Sequence, residues 1–267
     1  MPAAWKGWRN MAILKQLTAG TLKVIVLDSR DHMGRMAATA AAERLRSLLA
    51  QQESVNVIFA AAPSQNETLR HLAEEPGIEW RRINTFHMDE YIGLAPDAPQ
   101  TFGCYLNRHI FSRLPFGSIH YINGQAKDPQ AECARYSDLL RSHPVDLVCL
   151  GIGENGHIAF NDPWVADFQD SALVKIVPLD AVCRQQQVND GCFDTLECVP
   201  THAITLTIPA LTAARHLICT VPAASKAWAV ERTVNGDISP RIPATVMRRH
   251  PDAALFCDSD SGALLMN

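Results

Sequence analysis

The stretch that most constrains this chain is a short apolar run followed directly by a glycine-rich turn. The run covers residues 145–150 (VDLVCL), with one charge at Asp146, and the turn covers residues 151–157 (GIGENGH). An apolar run of this length is typical of a strand buried on both faces, as in parallel sheets. The three glycines of the turn permit backbone conformations and close approaches that side chains forbid. The pattern predicts a buried parallel strand that ends in a ligand-lining loop.

His157 closes this turn, and Asn155 and Asp162 flank it. Open α/β sheets bind their ligands beyond the carboxyl ends of the strands, which is where this histidine is expected to lie. An imidazole takes up and releases a proton near neutral pH, so His157 is a candidate catalytic residue, and its two neighbours are candidates for orienting it. The alternative is a glycine-rich turn whose histidine only satisfies a backbone carbonyl, and the spacing alone does not decide between the two.

Further apolar runs alternate with helical patterns along the rest of the chain, which favours an α/β fold with a largely parallel sheet and helices on both faces. A length of 267 residues is compatible with one domain, predicted here for residues 21–267. Residues 1–20 carry no periodic pattern and are predicted to be a partly disordered N-terminal extension. The strand-like runs lie at residues 22–27, 55–60, 80–86, 119–123, 172–178, 200–208, 217–221 and 253–257.

Composition points to a small-molecule partner. The chain has 24 basic and 28 acidic residues, a formal net charge of -4 and no long run of like charge, so it lacks the basic surface expected of a nucleic-acid-binding protein. No apolar stretch reaches membrane-spanning length and no signal peptide is evident, so we expect a cytoplasmic protein that does not bind membranes. A homo-oligomer is compatible with the sequence, which does not fix the oligomeric state.

The eight cysteines show neither C-x-x-C pairs nor metal-type spacing, and several lie within apolar runs. This distribution predicts reduced, mostly buried thiols rather than a disulfide framework or a structural metal site. We therefore expect neither a metal nor a cofactor.

Two polar segments follow other predicted strands. Ser64, Gln65 and Asn66 come where a strand gives way to a helix, and free N–H groups with small polar side chains at such a position suit a phosphate or another anion. Asp89 and Glu90 follow the strand at 80–86, where burial can raise a carboxylate pKa into the range useful for a general base. The alternatives are ordinary helix caps at 64–66 and a solvated acidic turn at 89–90.

Lys226 follows the strand at 217–221, at the start of a helix predicted over residues 226–235 and capped by Ser225. A lysine at this edge of the sheet can pair with a phosphate as a point charge. The alternative is a solvated residue in the first helical turn.

Several motifs together resemble the glucosamine-6-phosphate deaminase/isomerase family in order and spacing. They are TFHMDEYIGL at 85–94, INGQAKD at 122–128, ECARY at 132–136, LGIGENGHIAFNDP at 150–163 and SKA at 225–227. The resemblance implies a Rossmann-like α/β fold and conversion of glucosamine 6-phosphate to fructose 6-phosphate with release of ammonia. The related 6-phosphogluconolactonases share the fold and the Gly-His core, but typically continue with ASLFP, whereas this chain continues with IAFNDP at 158–163.

The resemblance also implies roles for individual residues. Asp89 matches the carboxylate that moves a proton between C2 and C1 of the sugar, and His157 matches the histidine that opens the pyranose ring. Asp162 stands where the family usually has a glutamate that supports the histidine, one methylene longer, and Asn155 stands where many members have aspartate. Residues expected to contact the substrate or its phosphate are Ser64, Gln65, Asn66, Glu90, Gly153, Arg184 and Lys226.

Two departures from the family pattern concern the phosphate. Residues 61–66 (AAPSQN) replace a glycine- and threonine-rich loop, and only Arg184 has a counterpart in the family's pair of arginines, because Asn189 stands where the second is expected. The chain therefore represents a divergent branch whose substrate is an amino sugar 6-phosphate, a related sugar phosphate or a compound with another anion.

Two other functions remain open at this stage. One is a lactonase-type hydrolase in which His157 acts on water, and the other is a catalytically silent sugar-phosphate sensor. The presence of both Asp89 and His157 argues against the sensor, since a sensor needs no base at C2. The sequence determines neither the exact sugar nor whether residues 164–171 form a lid.

Overall fold

The computed structural model describes residues 12–266. Its strands are β1 Ile13–Ala19, β2 Leu22–Leu27, β3 Val55–Phe59, β4 Ile83–His87, β5 Asp89–Tyr91, β6 Ser118–His120, β7 Leu147–Leu150, β8 Val174–Pro178, β9 His202–Leu206, β10 His216–Val221 and β11 Ala253–Cys257. Its α-helices are α1 Arg30–Leu49, α2 Asn66–Glu74, α3 Phe102–Leu106, α4 Pro129–Ser142, α5 Ala181–Asn189, α6 Ile208–Thr212 and α7 Ala227–Asn235.

The main sheet has eight strands in the order β1-β2-β11-β10-β7-β3-β4-β6. All neighbouring pairs are parallel except β1 and β2, which form an antiparallel pair at one edge. β7 lies between β3 and β10, with Leu147 opposite both Val57 and His216. The predicted α/β class with a largely parallel sheet is confirmed.

Two apolar clusters cover the two faces of this sheet. One contains the buried sides of α1 and α2, and the other contains those of α4, α6 and α7. Successive residues of β2 alternate between them: Ile25 and Leu27 belong to the first cluster, and Val24 and Val26 to the second. Because alternate side chains of a strand point to opposite faces, a strand packed on both faces is apolar throughout, as the sequence shows.

The structure corrects three predictions of strand position. Residues 13–19 form β1, so the expectation of an unstructured extension through residue 20 is wrong there, and residues 1–11 lie outside the described range. Residues 80–82 form a 3-10 turn, and the strand predicted at 80–86 covers 83–87 instead. The remaining correction is a three-stranded antiparallel sheet, β5-β9-β8, which the expected β-α alternation did not include.

The cysteines agree with the prediction of unpaired thiols. All eight lie in the described part of the chain and are free, and five are buried, namely Cys133, Cys149, Cys183, Cys219 and Cys257. Among residues 12–266, no helix has the length and apolar character needed to cross a membrane.

Candidate active site

A cleft opens at the carboxyl ends of β3, β7 and β10, which is where open α/β sheets bind their ligands. It is lined by the loops that leave these three strands, together with side chains from α1, β5 and α5. The polar side chains that line it are Arg30, Ser64, Gln65, Asp89, His157, Gln186, Gln187, Asp190, Ser225 and Lys226.

His157 is held by a hydrogen-bonded group of three side chains. Its Nδ1 lies 2.8 Å from Oδ1 of Asn155 and 3.1 Å from Oδ1 of Asp162, and the Asn155 amide donates to the same Asp162 oxygen over 2.9 Å. Both neighbours of Nδ1 are oxygen acceptors, so Nδ1 carries a proton, and in the neutral ring Nε2 is left as the acceptor. Asp162 therefore reaches His157 although it is one methylene shorter than the usual glutamate, and Asn155 bonds to both residues.

Gly153 is required by the position of the imidazole ring. A Cβ atom at this residue would lie 2.1 Å from Cε1 and 2.3 Å from Nε2 of His157. The Gly153 N–H also donates to the His157 carbonyl, over 3.0 Å, which closes the turn. Gly153 thus makes room for the catalytic ring as well as lining the cleft, where the sequence predicted a substrate contact.

The charge on Asp162 is stabilised inside the protein. Its side chain is fully buried, and burial, the largest single influence, raises the pKa of this carboxyl. The hydrogen bonds from His157 and Asn155 and the charge of His157 outweigh this effect and keep the pKa below its usual value. Asp162 is therefore an anion that fixes the orientation of His157 and stabilises the ring when it is protonated.

Asp89 and Glu90 point to opposite sides of β5, since alternate residues of a strand face opposite ways. Asp89 lines the cleft with His157 and is 7% exposed. Burial, and then the charge of Glu90, raise the pKa of Asp89 well above its ordinary value. A carboxylate with a raised pKa is a stronger base, as expected of a residue that removes a proton from carbon.

Glu90 does not line this cleft, although the sequence predicted a substrate contact. Its carboxylate accepts hydrogen bonds from the N–H groups of Tyr91, Phe102 and Gly103, at 2.9–3.1 Å, and fixes the start of α3. Burial raises the pKa of Glu90 to about 7, opposed by these three bonds. Glu90 therefore positions Phe102, which lines the cleft, from the other side of the strand.

Lys226 lies in the cleft at 5% exposure, and its Nζ makes no hydrogen bond within the described part of the chain. Its nearest anion is Glu154, with Oε1 at 3.9 Å. Burial lowers the pKa of Lys226, although the carboxylates of Asp190 and Glu154 oppose this. A buried ammonium without a hydrogen-bond partner lowers the stability of the protein unless a ligand supplies a partner. Lys226 therefore lies where an anion-binding residue is expected.

A strained turn carries Lys226 into the cleft. Ala223 has φ 82° and ψ 146°, a conformation normally restricted to glycine, and both carboxylate oxygens of the buried Asp258 accept from its N–H, at 3.0 and 3.2 Å. The helix that follows begins at Ala227 with Lys226 at its N-cap and no side-chain capping bond, so the predicted cap by Ser225 is wrong. Ser225 lines the cleft instead.

The loop at 63–66 reaches the cleft only in part. Ser64 lines it, and Gln65 is buried with its amide bonded to Thr220, donating to the carbonyl and accepting from the hydroxyl. Asn66 accepts a hydrogen bond from the Tyr105 hydroxyl and does not line the cleft. Ser64 and Gln65 thus line the cleft, and the Ser64 hydroxyl, which accepts from the Gln65 amide over 3.2 Å, keeps its own proton for an anion.

The structure does not bring Arg184 to the cleft. Its Nη2 donates to the carbonyls of Leu196 and Val199, at 2.6 and 2.9 Å, which ties α5 to the following loop. Residues of α5 and its end that do line the cleft are Gln186, Gln187 and Asp190, none of which is cationic. The sequence analysis missed these three and Arg30, because a periodic pattern does not show which side chains of a helix face a distant loop.

Cys183 lies behind His157 and Asp162. Its Sγ, an Asp162 oxygen and a His157 ring nitrogen all lie within 4.8 Å of one another, a set of atoms that can hold a metal ion. Sequence spacing did not predict this cluster, since its members are 5 and 21 residues apart along the chain. His157 Nδ1 already bonds to Asn155 and Asp162, and burial raises the pKa of the Cys183 thiol well above its ordinary value, so both groups must lose a proton before they bind a cation.

We therefore expect turnover to be independent of metal. Dialysis against a chelator should leave the rate unchanged, because His157 Nδ1 and Asp162 are already bonded to each other and to Asn155. Mild reductant should likewise change neither the rate nor the melting temperature, since the cysteines are unpaired. Loss of activity in the chelator, restored by one divalent ion, would show that the cluster holds a required metal.

The pKa of Glu90 generates a prediction about stability. In the unfolded chain Glu90 titrates near 4.5, and in the folded protein near 7, so between these values the folded state binds more protons. The free energy of unfolding should fall as the pH rises through this window, by on the order of 2 kcal/mol from this group, and Glu90→Gln should remove that part of the fall.

Urea unfolding of the wild type and Glu90→Gln at pH 4.5, 6 and 7.5 measures this difference. The slope with pH is the informative quantity, since the substitution also changes the absolute stability. Parallel pH profiles for the two proteins would mean that Glu90 does not titrate in this range.

Comparison with known proteins agrees with this geometry. The family of glucosamine-6-phosphate isomerases and 6-phosphogluconolactonases matches residues 28–256. A glucosamine-6-phosphate deaminase of Listeria monocytogenes is 36% identical over 211 residues, which cover 79% of this chain and 88% of the relative. A solved monomeric glucosamine-6-phosphate deaminase is 28% identical, with a TM-score of 0.82, and the match covers 90% of this chain and 99% of that one.

A solved 6-phosphogluconolactonase from Thermotoga maritima shares the fold, with a TM-score of 0.72 at 20% identity over 89% of this chain and 99% of that one. The matches to the family and to the deaminase of Listeria each extend over most of the chain, and the region matched by the family includes every residue that lines the cleft. This chain therefore belongs to the glucosamine-6-phosphate isomerase/6-phosphogluconolactonase family.

Proposed function

We propose that this protein is a glucosamine-6-phosphate deaminase-type enzyme, which converts an amino sugar 6-phosphate to the ketose 6-phosphate and ammonia in the cytoplasm. The observation that carries the proposal is the convergence in one cleft of a buried base, Asp89, an oriented histidine, His157, and a buried cation without a hydrogen-bond partner, Lys226. Deaminase relatives at 36% and 28% identity support the reaction class.

Ring opening is assigned to His157. With Nδ1 protonated by its contacts to Asn155 and Asp162, Nε2 accepts the proton of the O1 hydroxyl and returns it to the ring oxygen as the C1–O5 bond breaks. The ring is transiently an imidazolium, which the buried Asp162 carboxylate stabilises. Asn155 holds both groups in place through its amide and carbonyl.

Proton transfer between carbons is assigned to Asp89. The carboxylate removes the proton from C2 of the open-chain aldose, the electron pair shifts toward the C1 carbonyl, and the carbonyl oxygen takes a proton from the C2 ammonium. The resulting enolamine then takes the C2 proton back from Asp89 at C1, which leaves an imine at C2. Hydrolysis of the resulting C2 imine with one water releases ammonia and leaves the ketose. The raised pKa of Asp89 suits both halves of this transfer, since the residue must accept and then return the proton.

A lactonase reaction is the alternative that the fold allows. His157 with a free Nε2 can activate a water molecule, and solved 6-phosphogluconolactonases share this architecture. Such a reaction has no proton transfer between C2 and C1 and therefore no need of a base at Asp89. The sequence following His157, IAFNDP, resembles the deaminases, and Asp162 within it contacts His157.

A prediction about the catalytic base concerns Asp89. Asp89→Asn should lower kcat by about 10²–10⁴-fold and leave KM nearly unchanged, because an amide cannot accept the C2 proton but occupies the same space. Ammonia release measures the rate, and solvent deuterium should enter C1 of the product of the wild type. Asp138→Asn, an exposed residue of α4, serves as the control and should behave as the wild type.

Near-normal ammonia release by Asp89→Asn would remove Asp89 from the mechanism. Hydrolysis of 6-phosphogluconolactone by both proteins at equal rates, without ammonia release from any amino sugar phosphate, would establish the lactonase alternative.

Another prediction concerns Lys226. Lys226→Ala should raise KM for a phosphorylated amino sugar by about 1.5–3 kcal/mol in free energy, the value of a lost charge-assisted hydrogen bond, and weaken competitive inhibition by inorganic phosphate. An unphosphorylated amino sugar should be turned over equally by both proteins. Lys127→Ala, on an exposed loop, is the matched control.

Equal losses on phosphorylated and unphosphorylated amino sugars would mean that Lys226 is structural. That result would also remove the phosphorylated substrate class from the proposal.

A further inference from the structure

We propose that Arg30 supplies the second cation of the phosphate subsite, since Arg184 of α5 is bonded to the carbonyls of Leu196 and Val199 and does not reach the cleft. This inference rests on the proposed function, since it identifies a residue that binds the 6-phosphate of its substrate. Arg30 is the first residue of α1, far along the chain from the segments that the sequence analysis linked to the phosphate.

The need for a second cation follows from the charge of the ligand. A phosphate monoester carries about -1.5 to -2 charges at neutral pH, whereas Lys226 offers one positive charge and already has Glu154 at 3.9 Å. The segment of α5 expected to contribute an arginine presents Gln186, Gln187 and Asp190 to the cleft instead. Lys226 and Arg30 are the two Lys or Arg side chains that line the cleft within residues 12–266.

Arg30 is anchored to the loop that precedes α2. Its Nε donates to Oε2 of Glu67 over 2.8 Å, and its Nη2 donates to the carbonyl of Pro63. A guanidinium has five N–H donors, so three remain for a ligand, including both on Nη1. A planar cation held at one side with two or more free donors matches the geometry of a phosphate better than a flexible ammonium does.

The packing of α1 against α2 puts Arg30 in this position. A Cβ atom on Gly34 would lie 2.3 Å from Cβ of Glu67, so the absence of a side chain at Gly34 allows the two helices to approach closely. Arg30 precedes Gly34 by four residues and therefore lies on the same face of α1. The close crossing thus brings the guanidinium to Glu67 and to the loop that carries Ser64.

Lys226 provides an independent indication that this cleft binds an anion. Its ammonium is 5% exposed, lines the same cleft as Arg30 and makes no hydrogen bond within residues 12–266. Arg30 is 39% exposed, which leaves it accessible to a ligand that enters the cleft. The Ser64 hydroxyl lines the same cleft as these two cations and is a further donor for a phosphate.

The carboxylate of Glu67 sets the orientation of Arg30 at some cost in attraction for an anion. It bonds to Nε, at the inner edge of the fork, while a phosphate would bind the terminal nitrogens. A lysine at this position could not bond to Glu67 and hold a phosphate with two parallel donors, since it has no Nε–H donor and no planar fork. Arg30→Lys is therefore expected to keep part of the charge effect and lose the geometry.

The affinity for inorganic phosphate, measured by isothermal titration calorimetry, tests the subsite without turnover. Arg30→Ala should weaken phosphate binding at least tenfold relative to the wild type, and Arg30→Lys should fall between the two. Arg35→Ala is the matched control, because Arg35 lies on the same helix, is 54% exposed and does not line the cleft. The KM for a phosphorylated amino sugar should rise with the phosphate Kd, with kcat changed less than threefold.

The inference is overturned if Arg30→Ala binds phosphate within a factor of two of Arg35→Ala, or if the wild type does not bind phosphate at millimolar concentrations. Arg30→Gln, which retains a donor for the Pro63 carbonyl, replaces Arg30→Ala if that variant does not fold, and the same tenfold weakening is expected. Phosphate binding that depends on Arg30, without ammonia release from any amino sugar phosphate, would sustain the subsite and refute the proposed reaction. Ammonia release by the wild type, with an unchanged KM in the Arg30 variants, would support the proposed reaction and refute the role of Arg30 in phosphate binding.

Discussion

The parallel pairing of β7 with β3 on one side and β10 on the other is the constraint on which the site depends. Leu147 of β7 lies opposite Val57 of β3 and His216 of β10, so the three strands end at the same edge of the sheet. The loops that leave them carry Ser64, His157 and Lys226, three side chains that are up to 162 residues apart in sequence. Since the strands are packed on both faces, a one-residue shift in register would exchange side chains between the two apolar clusters and disrupt the packing of both.

The cleft concentrates groups whose burial is unfavourable by itself. Asp89 and Lys226 are each less than a tenth exposed. Burial raises the pKa of Asp89 and lowers that of Lys226, and so favours the neutral form of each group. Ala223 is held in a glycine-like conformation by Asp258 so that the chain can turn toward Lys226. The packing of the sheet stabilises the fold enough to tolerate these unfavourable features. Strained residues and buried ionisable groups that cluster in one cleft are typical of functional sites.

The phosphate end of the cleft is organised differently from the pattern to which the sequence was compared. Gln65 lines the cleft with its amide bonded to Thr220, and Arg184 is bonded to the carbonyls of a neighbouring loop and does not reach the cleft. At the other end of the cleft, Asp162 contacts His157 directly, at 3.1 Å, although it is one methylene shorter than the usual glutamate, and Asn155 bonds to both residues. The departures from the family pattern therefore alter the surroundings of Lys226 more than those of His157.

The sequence by itself determined the α/β class and the central strand, and it identified Asp89 and His157, which line one cleft, as candidates for catalysis. Those features are local: an unbroken apolar run, a glycine-rich turn and a motif in which each residue is defined by its neighbours. The three-stranded sheet, the orientation of Glu90 away from the cleft and the position of Arg30 were decided by the tertiary structure. They depend on contacts between segments that are distant in the chain, such as β5 with β9 and Gly34 with Glu67. The periodicity of one segment does not show such contacts, because the packing energy that selects them depends on both segments together.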